Sequence, residues 1–281
     1  MRRAREAEHV ASRALYGANV RVVVTPGTRP EAVPLLLCNG IGARLELLDP
    51  FVDSLDPSID VVRFDSPGIG GSERARALYT FSQLAWALSE MMNELGHHRF
   101  DVLGISWGGA VAQQLAFQHR GRVRRLVLAA TGTGSLMVPG HPRVLAKMLT
   151  PRRYRDPDYA AKIAAELYGG KIRDNPELAR KILHREGPRG TRAGYLYQLI
   201  AGMGWTSLPV LPAINQPTLI LMGRADPIIP LANGTIMRSL IPRARLHVYD
   251  DGHLGLVTQA LTLGPLVSDF LLSPTTSQVC G

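Results

Sequence analysis

The segment Phe100-Asp-Val-Leu-Gly104-Ile-Ser106-Trp-Gly108-Gly-Ala110 decides how this chain folds. Phe100–Ile105 is a short apolar run of strand length, and the stretch from Ala110 to His119 has the spacing of a helix. The chain must therefore pass from strand to helix within Gly104-Ile-Ser-Trp-Gly108. A turn that tight leaves no room for side chains at its flanks, which is why glycine stands on both sides, and it projects Ser106 from the top of a sheet. The Trp107 N–H then opens the helix, where unpaired amides and the helix dipole favour negative charge. Ser106 is the candidate nucleophile, and the Trp107 amide is the first candidate donor to an oxyanion.

Working outward, Val20–Val24, Pro34–Cys38, Ile59–Phe64, Val123–Ala130, Thr218–Met222 and Arg245–Tyr249 also read as strands. Phe81–Leu95, Leu231–Leu240 and Leu256–Leu272 read as amphipathic helices. Strand and helix alternating in this way predict a mostly parallel sheet with helices on both faces. Together with the strand–serine–helix turn, that is the α/β-hydrolase fold. The alternation breaks between about Gly132 and Ala213, where helical pieces (Tyr159–Tyr168, Pro176–Arg185, Ala193–Met203) occur without clear strands. Structureless loops of that length are rare in compact domains, so the break predicts an inserted helical cap over residues 133–213. Residues 1–132 and 214–281 would then form the core. The tail from Ser273 is polar and expected to be loose.

A serine hydroxyl is a weak nucleophile without a base, so a histidine is needed downstream. His253 follows Asp250-Asp-Gly in the loop after the last strand and is the candidate, whereas His247 lies inside that strand. His9, His97, His98, His119, His141 and His184 have no such context. The base needs an orienting carboxylate, expected in the chain order serine, acid, histidine. Asp226, in Gly223-Arg-Ala-Asp-Pro227 after the Thr218–Met222 strand, has that place, while Asp250 and Asp251 read as turn residues too near His253 in sequence to reach its ring. The second oxyanion donor is expected from Asn39-Gly-Ile-Gly42, whose glycines allow close backbone approach, with the Ile41 N–H as candidate. Asp65, in Asp65-Ser-Pro-Gly-Ile-Gly-Gly-Ser72, reads as part of a structural turn.

Several segments resemble those of the intracellular depolymerases of medium-chain-length polyhydroxyalkanoates. They are Cys38-Asn-Gly-Ile-Gly-Ala-Arg-Leu-Glu-Leu47, Gly104-Ile-Ser-Trp-Gly-Gly109, Leu128-Ala-Ala-Thr131, Met137-Val-Pro-Gly140, Pro151-Arg-Arg-Tyr154, Tyr168-Gly-Gly170, Gly204-Trp-Thr-Ser207 and Asp250-Asp-Gly-His253. The resemblance runs from about Glu31 to Leu272. It implies ester hydrolysis on a stored polyester in the cytoplasm, at storage granules, with no metal or organic cofactor. Synthases of the same polymers carry cysteine at the elbow, so Ser106 points to breakdown. The same triad would serve a general carboxylesterase or a carbon–carbon bond hydrolase acting on a small molecule. A catalytically silent granule-binding or ligand-sensing protein would instead keep the fold without turnover.

Composition narrows the classes. With 281 residues, 46% hydrophobic and 20% charged, the chain has the balance of a globular protein with a large core. Its apolar runs are strand-length, well short of the roughly 20 residues of a membrane helix, so no transmembrane segment is expected. The basic N-terminus is followed by no apolar run, which argues against a secretory signal and for the cytoplasm. The formal charge of +9 comes from 32 basic and 23 acidic residues scattered along the chain. A nucleic-acid footprint would be clustered, so no nucleic-acid partner is expected and the arginines read as a solvated surface. The dense stretches are Arg122-Val-Arg-Arg125 and Arg152-Arg-Tyr-Arg155. Cys38 and Cys280 are expected to be free thiols. Oligomeric state is left open.

Overall fold

The computed structural model describes residues 7–274 except 16, 30, 185, 186 and 189, with side chains described from Gly17 onward. The expectations for Cys280 and for the tail after Pro274 lie outside the described residues. Among the described residues, eight strands make one sheet: β1 (Ala7–Leu15), β2 (Ala18–Thr25), β3 (Leu35–Cys38), β4 (Val61–Phe64), β5 (Phe100–Ile105), β6 (Val123–Ala129), β7 (Thr218–Gly223) and β8 (Ala244–Tyr249). Their order is β1-β2-β4-β3-β5-β6-β7-β8. The pairings β1·β2 and β2·β4 are antiparallel and the remainder parallel. The expected sheet is therefore present with one more strand than its apolar runs announce. Strand β1 sits at the edge, where pairing is by backbone on one side only, and its sequence mixes Glu8, His9 and Arg13 with small residues.

The helices are α1 (Asp49–Ser54), α2 (Phe81–Glu94), α3 (Trp107–Gln118), α4 (Pro142–Ala146), α5 (Arg152–Arg155), α6 (Pro157–Tyr168), α7 (Gly170–Asp174), α8 (Glu177–Leu183), α9 (Arg192–Gly202), α10 (Ala232–Leu240), α11 (Gly255–Thr258) and α12 (Ala260–Leu272). Successive strand side chains point to opposite faces, and both faces are buried. Leu36, Val62, Val102, Leu128 and Ile220 join one apolar cluster with α2, α3 and α10. Leu37, Val61, Leu103, Val127 and Leu219 join a second with α1 and α12. The run expected as one helix over Leu256–Leu272 is two, α11 and α12, broken at Gln259, whose backbone leaves the helical region.

Helices α4–α9 all fall between β6 and β7, in the stretch where the sequence loses its strands. The two ends of this insertion are tied together. Gly134 and Thr206 form an isolated bridge, the Thr206 hydroxyl donates to the Thr133 carbonyl (2.6 Å), and the Trp205 indole donates to Gln114 of α3 (2.9 Å). No helix among the described residues is long and apolar enough to cross a membrane.

Candidate active site

Four loops leave the carboxyl ends of parallel strands on one side of the sheet, the usual place for a site in an open α/β sheet. They carry Ile41 after β3, Ser106 after β5, Asp226 after β7 and His253 after β8. Ser106, His253 and Ile41 line one small cleft together with Met148, Arg153, Tyr154 and Tyr168 of the inserted segment.

Ser106 has φ 55° and ψ −120°, a backbone conformation that L-residues rarely adopt and that costs of order 1–3 kcal/mol. The surroundings enforce it. Its amide donates to the Ala129 carbonyl (2.9 Å), and its own carbonyl accepts from the Thr131 hydroxyl (2.8 Å) and the Gly109 amide (2.9 Å). A Cβ on Gly104 would fall on the Gly108 carbonyl, and one on Gly108 would fall on the carbonyls of Cys38 and Asn39. These contacts press the start of α3 against the end of β3. Among the described residues neither amide donates to a protein acceptor.

His253 Nδ1 lies 2.8 Å from Asp226 Oδ2, and both side chains are buried. Asp226 is held by its other oxygen, which accepts from the amides of Ile228 (2.9 Å) and Ile229 (3.0 Å). An ionised carboxylate only accepts, so the shared proton belongs to Nδ1 and leaves Nε2 with its lone pair. The neighbouring acids behave differently. Asp250 is exposed and pairs with Arg224 (2.8 Å). Asp251 is more than the turn residue it resembled: it is buried, accepts from the amides of Gly252 (2.7 Å) and Lys171 (2.8 Å), and accepts from the Thr258 hydroxyl (2.7 Å). It thereby ties α7 to the His253 loop, and the His253 amide itself donates to the Tyr168 carbonyl (2.8 Å). Asp65 has the structural place expected of it. It accepts from the Leu45 and Gly71 amides (both 2.8 Å), and burial pushes its carboxyl up to about 6.

Two groups at the site escaped sequence reasoning. Gln198 of α9 is buried, its side-chain oxygen accepts from the Gly42 amide (2.7 Å) and its backbone carbonyl accepts from the Trp107 indole (2.9 Å), so one residue braces both candidate oxyanion loops. In sequence, Arg153 reads as part of a solvated surface. It is instead only 1% exposed, and it donates to the Ile41 carbonyl (3.3 Å) alongside the Tyr154 hydroxyl (2.9 Å). The other dense arginine stretch is likewise inward: Arg124 pairs with buried Asp101 (2.5 Å), and Arg125 donates to the Leu271 carbonyl.

This geometry can be set beside known proteins. Residues 33–174 match the family model described as alpha/beta hydrolase fold. The chain is 48% identical over 258 residues to the poly(3-hydroxyalkanoate) depolymerase of Ectopseudomonas oleovorans, covering 92% of this chain and 90% of that one. The chain belongs to the poly(3-hydroxyalkanoate) depolymerase family of α/β hydrolases. More distant in sequence is a 2-hydroxy-6-oxononadienedioate/2-hydroxy-6-oxononatrienedioate hydrolase of a Pseudomonas species, at 29% identity with 80% of each chain covered. Among solved structures, a hydrolase from Pseudomonas aeruginosa PA01 superposes with a TM-score of 0.77 at 24% identity, covering 95% of this chain and 98% of that one. As a member of the depolymerase family the chain is an ester hydrolase. Two of the segments that carried the resemblance, Pro151–Tyr154 and Tyr168–Gly170, contribute Arg153, Tyr154 and Tyr168 to the cleft.

Proposed function

We propose that this depolymerase-family enzyme cleaves the ester bonds of a medium-chain-length polyhydroxyalkanoate through an acyl-enzyme on Ser106, working in the cytoplasm at storage granules. The observation that supports the chemistry is that a strained serine, the unpaired-amide residue Ile41 and an imidazole whose other nitrogen meets a buried carboxylate line one cleft, with the unpaired Trp107 amide directly after the serine. His253 Nε2 takes the hydroxyl proton as Ser106 Oγ attacks the ester carbonyl, and the Trp107 and Ile41 amides receive the developing oxyanion. The tetrahedral intermediate collapses, the C–O bond to the alcohol breaks, and His253 returns the proton to the departing oxygen. Water activated by the same imidazole then frees the acid. Asp226 holds the ring and stabilises its charged form.

The substrate class is supported by the 48% identity to the poly(3-hydroxyalkanoate) depolymerase. We read residues 133–213 as a cap that selects what enters. Leu136, Leu149, Leu196 and Met203 of this segment expose apolar side chains that suit an apolar polymer surface. The deciding experiment incubates purified enzyme with medium-chain polyester granules and with p-nitrophenyl octanoate. Release of 3-hydroxyalkanoic acids from granules supports the reading. Turnover of the soluble ester with intact granules would leave a small-molecule esterase.

A further inference from the structure

Among the described residues, Arg153 is a buried cation with no anionic partner. Its Nη1 donates to the Tyr195 hydroxyl (2.8 Å) and toward the Thr150 carbonyl (3.5 Å), its Nη2 donates to the Ile41 carbonyl (3.3 Å), and the rings of Tyr154 and Tyr195 lie 4.5 and 5.4 Å from the guanidinium. Its Nε has no hydrogen-bond partner, and no carboxylate among the described residues pairs with it. Arg63 and Arg124, which are also inward, each have an aspartate at 2.5 Å. Beside the guanidinium the Tyr168 hydroxyl is buried, with Arg153 as its polar neighbour and no hydrogen bond of good geometry among the described residues. Both residues line the cleft that holds Ser106 and His253. Carbonyls and π faces satisfy part of a guanidinium's donors, but they do not neutralise its charge, and burying an unneutralised charge is costly.

We propose that Arg153, with Tyr168, is a carboxylate subsite that takes the free acid end of a 3-hydroxyacyl chain, so that the enzyme removes units from the carboxyl terminus. The inference rests on the serine-esterase reading above. In a chain of 3-hydroxyacyl units the terminal carboxylate is only two carbons from the last ester oxygen. A group that binds it must therefore share a cleft with the nucleophile, as Arg153 does with Ser106. Ser106 Oγ bonds to the penultimate carbonyl carbon, the last ester C–O bond breaks, and the departing oxygen takes its proton from His253 and leaves as a 3-hydroxycarboxylate held by Arg153. Water then hydrolyses the acyl-enzyme and creates a new terminal carboxylate, which is again a substrate for the same subsite.

The test compares two forms of the 3-hydroxyoctanoate dimer, the free acid and the terminal carboxamide, which differ in charge at the proposed subsite. Charge-assisted pairing predicts that wild-type enzyme favours the acid by about tenfold or more in kcat/KM. In Arg153→Met the ratio should fall below about twofold however the absolute rates move, and Arg153→Lys should keep an intermediate ratio. Tyr168→Phe, which keeps the ring, should lower the ratio about two- to threefold. As a second readout, 3-hydroxyoctanoate should inhibit p-nitrophenyl octanoate hydrolysis competitively at concentrations where 3-hydroxyoctanamide does not. If Arg153 variants fail to fold, the wild-type ratio, Tyr168→Phe and this inhibition decide. Equal treatment of acid and carboxamide by wild-type enzyme overturns the subsite, as does an Arg153→Met variant that slows both dimers by the same factor, the signature of a brace on the Ile41 loop. Absence of p-nitrophenyl octanoate turnover would instead overturn the esterase reading itself.

Discussion

Ser106 and Arg153 line the same cleft, and their surroundings have little in common. The serine stands at the end of a central strand, its strained backbone fixed by main-chain hydrogen bonds and by glycines that admit no Cβ. The arginine stands on a four-residue helix in the insertion, held by tyrosine rings, a hydroxyl and carbonyl oxygens. One side is shaped by the sheet, which leaves its loops little freedom. The other is shaped by side chains that meet only when the insertion folds over the sheet. The comparison teaches that the proposed chemistry belongs to the core and the proposed selectivity to the cap.

The strongest way to break that division is at the serine. Ser106→Ala should lower kcat/KM for a p-nitrophenyl ester by about 10⁴-fold or more, because no other group at the elbow can form the acyl-enzyme. Retention of more than about 1% of the rate in clean, folded protein would remove Ser106 from the mechanism.

The acids sharpen the comparison next. Asp226→Asn should cost about 10³- to 10⁴-fold in kcat, since it reverses the hydrogen bond that sets the His253 tautomer. Asp251→Asn breaks the tie between α7 and the His253 loop, so its main effect should be on thermal stability, about 1–3 kcal/mol. Asp250→Asn, at an exposed pair, should change neither. Kinetics and melting of the three variants check this, and an Asp251 variant as inactive as the Asp226 one would mean the wrong acid has been assigned.

Gln198 tests whether the proposed cap contributes to the chemistry through the candidate oxyanion loops. Gln198→Leu keeps the volume and removes the bond to the Gly42 amide, and it should lower kcat about ten- to a hundredfold while KM for a short ester stays within about twofold. A rise in KM with kcat intact would assign Gln198 to substrate binding. The smallest effect is expected at the outer surface of the cap. Leu149→Ser and Met203→Ser should leave the short-ester rate within about twofold and slow granule hydrolysis several-fold. Equal loss on both substrates would show that the cap does not recognise polymer.

Much of the core could be read along the chain because its signals are local. Phe100–Ile105 is a strand in sequence and in space, and Ser106 is recognisable because the glycines that make the turn possible lie within two residues of it. Asp226 and His253 could be named because each follows a strand, and strand order sets where its loop emerges. Strand β1 was not legible, since an edge strand needs no apolar periodicity. The short helices α4, α5 and α7 were not legible either, because four or five residues carry no periodic signal and are shaped by what they pack against.

By itself, then, the sequence determined the sheet, the serine turn and the candidate acid and base, all consequences of periodicity and of glycine's freedom at a tight corner. Only the tertiary structure decided that Asp251 is buried and ties α7 to the His253 loop, that Gln198 spans both candidate oxyanion loops, and that one arginine of Arg152-Arg-Tyr-Arg155 points inward to the site. The reason is physical. A residue's burial and its hydrogen-bond partner depend on chain segments tens of residues away, and charged side chains look alike in sequence whether water or a cleft surrounds them.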